Sequence, residues 1–230
     1  MANCKDIVSS VAALTDIKDT SGVKILSKNC TKLTFEEVKQ IIEEKNKYSD
    51  SNKEMDIVNE LLMAIACVES GGLKDKTSRT ILFDPCAHTE MDGRLPKHKD
   101  LPKEKKDKLN STATGLMGIT KGLIADAQKS GFISSADTPE VIHARLCGDA
   151  AYSVEIAVAL LQRKINIARR NSGEASMSSA SDEKRDIILK KALASYGTGT
   201  SYANKRISER DSLLESYTET KAQGFSWGEK

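Results

Sequence analysis

The sequence has little of what would indicate a nucleic-acid-binding, membrane-spanning or metal-binding protein. Its 35 Lys and Arg residues nearly balance 33 Asp and Glu residues, so the net charge of +2 offers little attraction for a polyanion. The longest uncharged apolar run, Leu61 to Val68, has eight residues, whereas a membrane-spanning helix needs about 18 or more. The five cysteines form no CxxC pair, which gives a zinc site little support. We therefore expect no nucleic acid as main partner, no membrane span and no metal.

Aromatic residues are also scarce, at 4% of the chain, and strict alternation of apolar and polar residues is rare. Because strands favour alternating β-branched and aromatic residues, the helical spacing found instead predicts a mainly α protein. With 39% apolar residues, 230 residues suffice for a sizeable core. The first residues contain no apolar stretch long enough for a signal peptide. We expect a protein that is not exported, is already trimmed, or is exported without a cleavable signal.

Helix start and stop signals divide the chain into segments. Thr34 precedes Glu37, and Ser51 precedes Glu54, by the three residues typical of a capping box at a helix N-terminus. The helix that opens at Ser51 carries apolar residues at core spacing and is predicted to stop at Gly71. Further helices are predicted over residues 119–130, 138–148, 149–170, 181–196 and from about residue 201.

Residues 73–110 differ from the rest in composition. They contain three of the four prolines and, between Lys97 and Lys108, six lysines. This composition predicts an irregular insertion or a surface hairpin within a domain of residues 51–230. Acidic residues interrupt the lysine run and favour a solvated face over an anion-binding patch. Residues 1–50 are predicted to form a helical extension packed on that domain.

One carboxylate is a candidate for acid catalysis. Glu69 ends the strongest predicted helix, directly after an apolar octet in the string AIACVESGG. The negative end of the helix dipole and the apolar neighbours both disfavour its charged form, as a proton donor near neutral pH requires. A Glu that ends a helix is otherwise an ordinary surface residue, or one that hydrogen-bonds its own loop, and the pattern alone does not favour catalysis over these.

Four strings occur in the order and approximate spacing of the lysozyme-like lytic transglycosylases, and they also resemble goose-type lysozymes. They are AIACVESGG, TATGLMGIT, the helix from Asp149 to Lys164, and LKKALASYGTGTSYANKRI, together spanning roughly residues 55–210. In that superfamily the first string ends in the catalytic Glu followed by Ser, and the second is a Gly-Leu-Met-Gln turn beside the sugar cleft. The resemblance implies a lysozyme-like helical domain that cleaves peptidoglycan between N-acetylmuramic acid and N-acetylglucosamine, without a cofactor.

The resemblance also implies a role for each matching position. Glu69 is the catalytic residue, and the implied substrate-binding residues are Ser70, Gly115, Leu116, Met117 and Tyr196. Tyr196 either holds the Glu69 rotamer through a hydrogen bond or packs at a helix end, and Ser70 is equally a C-terminal capping residue. Gly118 stands where the family usually has Gln, and Gly197 where it has Asn, so two expected side chains are missing from substrate positioning.

Two reaction routes remain open at this point. A lytic transglycosylase uses one carboxylate first as acid and then as base, while the sugar's own 6-hydroxyl closes onto the anomeric carbon. A hydrolytic muramidase needs a second group to activate water, and the nearest carboxylates in sequence are Asp84, Glu90 and Asp92. The absence of an acidic residue from GLMGIT, where goose-type lysozymes carry an Asp shortly after the Met, favours transglycosylation. A catalytically weak glycan-binding or structural module is the alternative from a different class.

The expected partner is the glycan strand of peptidoglycan, and the expected site of action is the periplasm or cell wall. Such an enzyme without a recognisable signal peptide is a phage endolysin or virion enzyme, a secretion-system-associated enzyme, or an antibacterial toxin. A toxin would have an immunity or inhibitor protein that plugs the cleft as its natural partner.

The cysteines and histidines have no motif that indicates chemistry. The cysteines are either buried small hydrophobes or, in an oxidising compartment, two disulfides, Cys4–Cys30 and Cys86–Cys147, with Cys67 as an unpaired thiol. His88, His98 and His143 lack metal or triad spacing and are expected to be solvated or half-buried.

Overall fold

The computed structural model describes residues 32–46, 55–70, 73–74, 81–85, 113–197 and 199–222. Within these ranges the chain is mainly helical, which confirms the mainly α class. The helices are α1 (Phe35–Asn46), α2 (Asn59–Glu69), α3 (Lys121–Lys129), α4 (Pro139–Gly148), α5 (Ala150–Asn171), α6 (Asp182–Tyr196) and α7 (Thr200–Ala222). None of the helices in the described part of the chain has the length and apolarity that crossing a membrane requires.

A small antiparallel sheet accompanies the helices; the sequence predicted a surface hairpin only as one alternative for residues 73–110 and no strand before it. Its strands are β1 (Leu33–Thr34), β2 (Leu73–Lys74) and β3 (Ile81–Phe83), in the order β1-β3-β2. Strands of two or three residues are too short to show an alternating pattern, which explains why they were missed. The predicted 73–110 insertion therefore begins as a hairpin, and its lysine run lies outside the described residues.

The two predicted capping boxes have different outcomes. The Thr34 box is confirmed, because the Thr34 amide donates to Glu37 Oε2 at 2.7 Å and the Glu37 amide donates to Thr34 Oγ1 at 3.3 Å. The Ser51 box lies outside the described residues, but the helix that it was expected to open, α2, begins only at Asn59. Asp56, just before α2, is not helical: it takes a left-handed φ of 58°, and its carboxylate pairs with Arg185.

The later helices begin close to where the sequence predicts. Thr120, Thr138, Asp149 and Ser181 each precede a helix and accept a hydrogen bond from the backbone amide three residues on. These N-caps satisfy amides that the first turn of a helix leaves without partners. The predicted helices over 138–148, 149–170 and 181–196 are thereby confirmed within one or two residues.

Helix α2 lies at the centre of the hydrophobic core. Its residues from Leu61 to Ala66 are all fully buried, and α1, α7 and, through α1, α5 pack around it. Phe35, Val38 and Ile42 of α1 belong to this same core, although that helix falls within the predicted N-terminal extension. Because α2 is buried on all sides, its C-terminal end also lies at the core, and Ser70, which follows its last residue, is buried.

The histidine prediction needs one correction, and the cysteine prediction is tested only in part. Cys67 and Cys147 are both buried, as small hydrophobic residues would be, whereas Cys86, the other half of the Cys86–Cys147 disulfide expected in an oxidising compartment, lies outside the described residues. His143 is 5% exposed, not solvated or half-buried, and its Nε2 lies 3.7 Å from Cys147 Sγ one turn along the inner face of α4. Among the described residues, no group of three or more His, Cys, Asp or Glu side chains could hold a metal. The remaining cysteines and histidines lie outside the described residues: Cys4, Cys30, Cys86, His88 and His98.

Candidate active site

Glu69 is the last residue of α2, where the buried helix ends. The backbone amide of Ser70 donates to the carbonyl oxygen of Ala66 and closes the last turn, and the Ser70 hydroxyl lies 3.1 Å from the same oxygen. The side chain of Glu69 keeps 16% of its surface exposed, although the helix before it is buried. The carboxylate therefore sits at the boundary between core and solvent, beside the negative end of the helix dipole.

Arg206 of α7 is the ionic partner of Glu69. Its Nη2 lies 2.7 Å from Glu69 Oε1, and its side chain is only 2% exposed. Sequence reasoning missed this residue, although Ala203, Arg206 and Ile207 have helical spacing and form a buried stripe on an otherwise polar helix. An arginine on such a stripe needs a carboxylate partner, because an uncompensated buried charge is costly. The need of a buried arginine for a carboxylate partner is therefore the feature of the sequence that could have identified Arg206.

The Glu69–Arg206 ion pair adds an electrostatic interaction that the sequence-based argument did not include. A helix C-terminus and apolar surroundings disfavour a carboxylate, whereas an adjacent guanidinium with a charge-assisted hydrogen bond stabilises it.

A tight turn over residues 114–119 faces the end of α2. Thr114 and Ile119 pair their backbones across it, with N–H···O distances of 3.0 and 2.8 Å. Gly115 and Gly118 have left-handed φ values of +78° and +63°, which favour glycine. A Cβ on Gly115 would also lie 2.4 Å from the carbonyl oxygen of Leu146. The predicted glycine turn is therefore required by both conformation and space.

The turn packs directly against the candidate acid. A Cβ on Gly118 would lie 2.4 Å from Cγ, Cδ and Oε2 of Glu69, far inside van der Waals contact. The carboxyl group thus occupies the space that a side chain at position 118 would need. This contact gives a physical reason for glycine at position 118.

Buried hydrogen bonds join the turn to three helices. The Ser70 hydroxyl at the end of α2 donates to the carbonyl of Leu116 at 2.9 Å, and the Tyr196 hydroxyl of α6 donates to the carbonyl of Met117 at 2.8 Å. The Met117 amide donates to Ser153 Oγ of α5 at 3.2 Å. Ser153 was missed by sequence reasoning, and a serine within the apolar face of α5 was its signal. These bonds hold the turn against the three helices, and the turn packs against Glu69 through Gly118.

The implied substrate-binding residues are brought together, but most of them are buried. Leu116 and Met117 are 0% exposed, Tyr196 is 2% and Ser70 is 5%. Side chains with so little surface have almost none to offer a glycan. Their contacts support the shape of the turn and the position of Glu69.

Asp84 is the one described member of the three candidate second carboxylates. It follows β3, is half-buried, and its backbone amide donates to the carbonyl oxygen of Ser70 at 2.8 Å. The small sheet thereby brings Asp84 next to the end of α2. Glu90 and Asp92 lie outside the described residues.

Replacing Tyr196 by phenylalanine is expected to destabilise the protein. The ring is retained, but the Met117 carbonyl loses a donor inside the core, at a cost of about 1–3 kcal/mol for a buried group left unsatisfied. Tyr152→Phe is the matched control, because Tyr152 is half-buried and its ring, which contacts Arg145, is also retained. Urea unfolding should show a clearly larger loss for Tyr196→Phe, and equal losses would mean that the hydroxyl does not hold the turn.

Comparison of the chain with protein families, with curated proteins and with solved structures finds no match. What the site does must therefore follow from its own residues and geometry. The four strings singled out in the sequence all contribute to it: Glu69 and Ser70 come from the first, the glycine turn from the second, Ser153 from the third, and Tyr196 with Arg206 from the last.

Proposed function

We propose that the protein is a lysozyme-like enzyme that cleaves the β-1,4 bond between N-acetylmuramic acid and N-acetylglucosamine in peptidoglycan by lytic transglycosylation. The observation that carries the proposal is the meeting of four distant segments around one carboxylate. Glu69 contacts Arg206 at 2.7 Å and packs against Gly118. Ser70 and Tyr196 donate hydrogen bonds to backbone carbonyls of the turn. A group that must protonate a defined oxygen needs this degree of fixation.

In the first step, Glu69 gives its proton to the glycosidic oxygen as the bond to the anomeric carbon breaks. Positive charge then develops on the sugar ring, and negative charge develops on Glu69. The guanidinium of Arg206 lies beside Oε1, where it stabilises that negative charge as it forms. Because this contact strengthens during proton transfer, Arg206 favours the transition state over the protonated starting state.

In the second step, the Glu69 carboxylate takes the proton of the muramic 6-hydroxyl as its oxygen bonds to the anomeric carbon. One carboxyl group returns to its starting protonation state, and no water is consumed. The route requires no cofactor and no second carboxylate.

Hydrolysis is the second candidate, and the position of Asp84 is the observation that favours it. The backbone bond from Asp84 to Ser70 places this residue one hydrogen bond away from the end of the helix that carries Glu69. A carboxylate there could activate water against the same oxocarbenium-like centre. Asp84 is therefore the described residue on which the hydrolytic alternative can be tested by mutation, while Glu90 and Asp92 stay candidates outside the described residues.

Mass spectrometry of the soluble products from purified peptidoglycan tests the proposal. Transglycosylation predicts 1,6-anhydromuramic ends, which are lighter than the hydrolytic ends by one water molecule. Reducing ends alone would assign the hydrolytic route, and Asp84→Asn should then abolish turnover. If folded protein released no fragments, a glycan-binding or structural module would be the better description.

The proposed site of action is the peptidoglycan layer of the periplasm or cell wall, with glycan strands as substrate. A phage endolysin, a secretion-system enzyme and an antibacterial toxin would all use the same chemistry there. For a toxin, an immunity protein that covers Glu69 would be a matching inhibitor.

A further inference from the structure

A cavity separate from the Glu69 site lies where α2 begins. Its volume is about 320 Å³, at the lower end of the range of about 300–1,000 Å³ found for small-molecule sites. It is lined by Val58 before α2, by one face of α6 that includes Leu189, and by Arg210 of α7. Because Glu69 is the last residue of α2, the length of that helix, about 16 Å for 11 residues, separates the cavity from the candidate acid.

Charged side chains of both signs line this cavity. Asp56, Asp182 and Asp186 supply three carboxylates, and Arg185 and Arg210 supply two guanidinium groups. These carboxylates do not form a group that could hold a metal ion. A ligand of one charge would be attracted by one set of side chains and repelled by the other, whereas a ligand with a positive and a negative group matches both. The lining therefore favours a small zwitterion.

Two of these charges are committed to each other. Arg185 Nε donates to Asp56 Oδ2 at 3.0 Å, and Nη2 of the same guanidinium donates to Asp56 Oδ1. This bidentate pair joins α6 to the segment before α2, so it forms a fixed part of the cavity wall.

The other charges have partners that a ligand can replace. Arg210 pairs with Asp211, whose side chain is 51% exposed, and Asp186 pairs with Lys190, whose side chain is 43% exposed. Ion pairs at such positions contribute little to stability, because water solvates both charges well. Asp182 is exposed and lies about one turn before Asp186 on the same side of α6. One guanidinium and two neighbouring carboxylates are therefore accessible to a bound molecule.

We propose that this cavity binds an α-amino acid group, in which an ammonium and a carboxylate are attached to one carbon. Its carboxylate binds Arg210, and its ammonium binds Asp182 and Asp186. An aliphatic side chain on the same carbon packs against Val58 and Leu189, which form the apolar part of the lining. Free amino acids present this group, and so do peptides with diaminopimelate, such as the stems of peptidoglycan. The site does not depend on the proposed catalytic function, and a protein without glycosidase activity would retain it.

An NMR titration of the nitrogen-15-labelled protein measures this binding. The probes are L-alanine, D-alanine, the soluble peptide L-alanyl-γ-D-glutamyl-meso-diaminopimelate, and N-acetyl-L-alanine amide, which lacks both charges. Backbone amide shifts at the start of α2 and along α6 should change with an alanine or with the peptide, but not with the neutral amide. Binding of alanine alone identifies a free amino acid as the ligand, and binding of the peptide alone identifies a peptidoglycan stem. Equal shifts with the neutral amide, or none with any probe at millimolar concentration, would overturn the proposal.

Two substitutions test where the group binds. Arg210→Gln should weaken binding about tenfold or more, since a charge-assisted hydrogen bond to the carboxylate is lost. Asp186→Asn should weaken it through the ammonium, and it serves as the test if the first variant does not fold. Arg170→Gln is the matched control, because Arg170 is an exposed arginine of α5 outside the lining, and its affinity should equal that of the wild type. Wild-type affinity in both cavity variants would show that the group binds elsewhere and would overturn the assignment.

Discussion

Glu69→Gln is expected to remove nearly all peptidoglycan cleavage. Glutamine keeps the size of the side chain and its contact with Arg206, but it has no proton to give to the glycosidic oxygen. Loss of a general acid typically costs about 10²–10⁴-fold in rate, and here the same group also serves as the base. Release of soluble fragments from purified peptidoglycan measures the loss.

This variant should also be less stable than the wild type, because Arg206 is 2% exposed and loses its counter-charge. We expect a loss of about 1–3 kcal/mol, since the amide oxygen of glutamine can still accept the hydrogen bond. Activity must therefore be compared at a temperature where circular dichroism shows both proteins folded. Glu155→Gln is a control for the chemical change, since that side chain is 64% exposed, and it should keep both activity and stability. Wild-type turnover by folded Glu69→Gln would refute the assignment.

Gly118→Ala is expected to have the second large effect, through displacement of Glu69. The added Cβ would lie 2.4 Å from three atoms of the Glu69 side chain, so the carboxyl group has to move. A displacement of about 1 Å at a reacting group can cost on the order of 10²-fold in rate. The left-handed φ of +63° adds a backbone cost of about 1–2 kcal/mol in stability. Initial rates and urea unfolding separate the two effects.

Gly173→Ala provides the matched control for this prediction. Gly173 has a similar φ of +73°, but a Cβ there would meet nothing within 4 Å. The two variants should lose similar stability, and only Gly118→Ala should lose activity. If Gly173→Ala lost activity to the same extent, strain would be the cause, and the contact between Gly118 and Glu69 would be irrelevant to function.

The parts of this fold that could be predicted are those encoded by local chemistry. The capping residues Thr34, Thr138, Asp149 and Ser181 gave helix starts close to those observed, because a side-chain acceptor near the first free amides is a short-range requirement. The predicted start of α2 was too early, because Asp56, just before the helix, is held in a non-helical conformation and pairs with Arg185, 129 residues away. Local spacing contains no information on a partner at that distance.

In the candidate site, too, the residues with local sequence signals were predicted and those that depend on distant partners were missed. Glu69 and the glycine turn were predicted from short strings, since a glycine-rich turn and a carboxylate at the end of an apolar helix are both visible locally. Arg206 and Ser153 were missed because their importance comes from the elements they meet, the end of α2 and the backbone of the turn. A polar residue on a buried helical stripe is the pattern that points to such partners, and both residues have it.

The structure also changes how two of the predicted residues would act. Ser70 and Tyr196 were implied to bind substrate, yet both donate hydrogen bonds to carbonyls of the turn from within the core. Their influence on cleavage would then arise through the turn, so their variants should lose stability and activity together. Loss of stability is the feature that distinguishes them from a residue that contacts the glycan alone.

The most direct measurement is the release of soluble fragments from purified, insoluble peptidoglycan by wild-type protein and by folded Glu69→Gln, assayed side by side. If the protein is a peptidoglycan-cleaving enzyme with Glu69 as its acid, we expect steady release by the wild type and almost none by the variant. Equal release by both proteins, or none from the folded wild type, would contradict it.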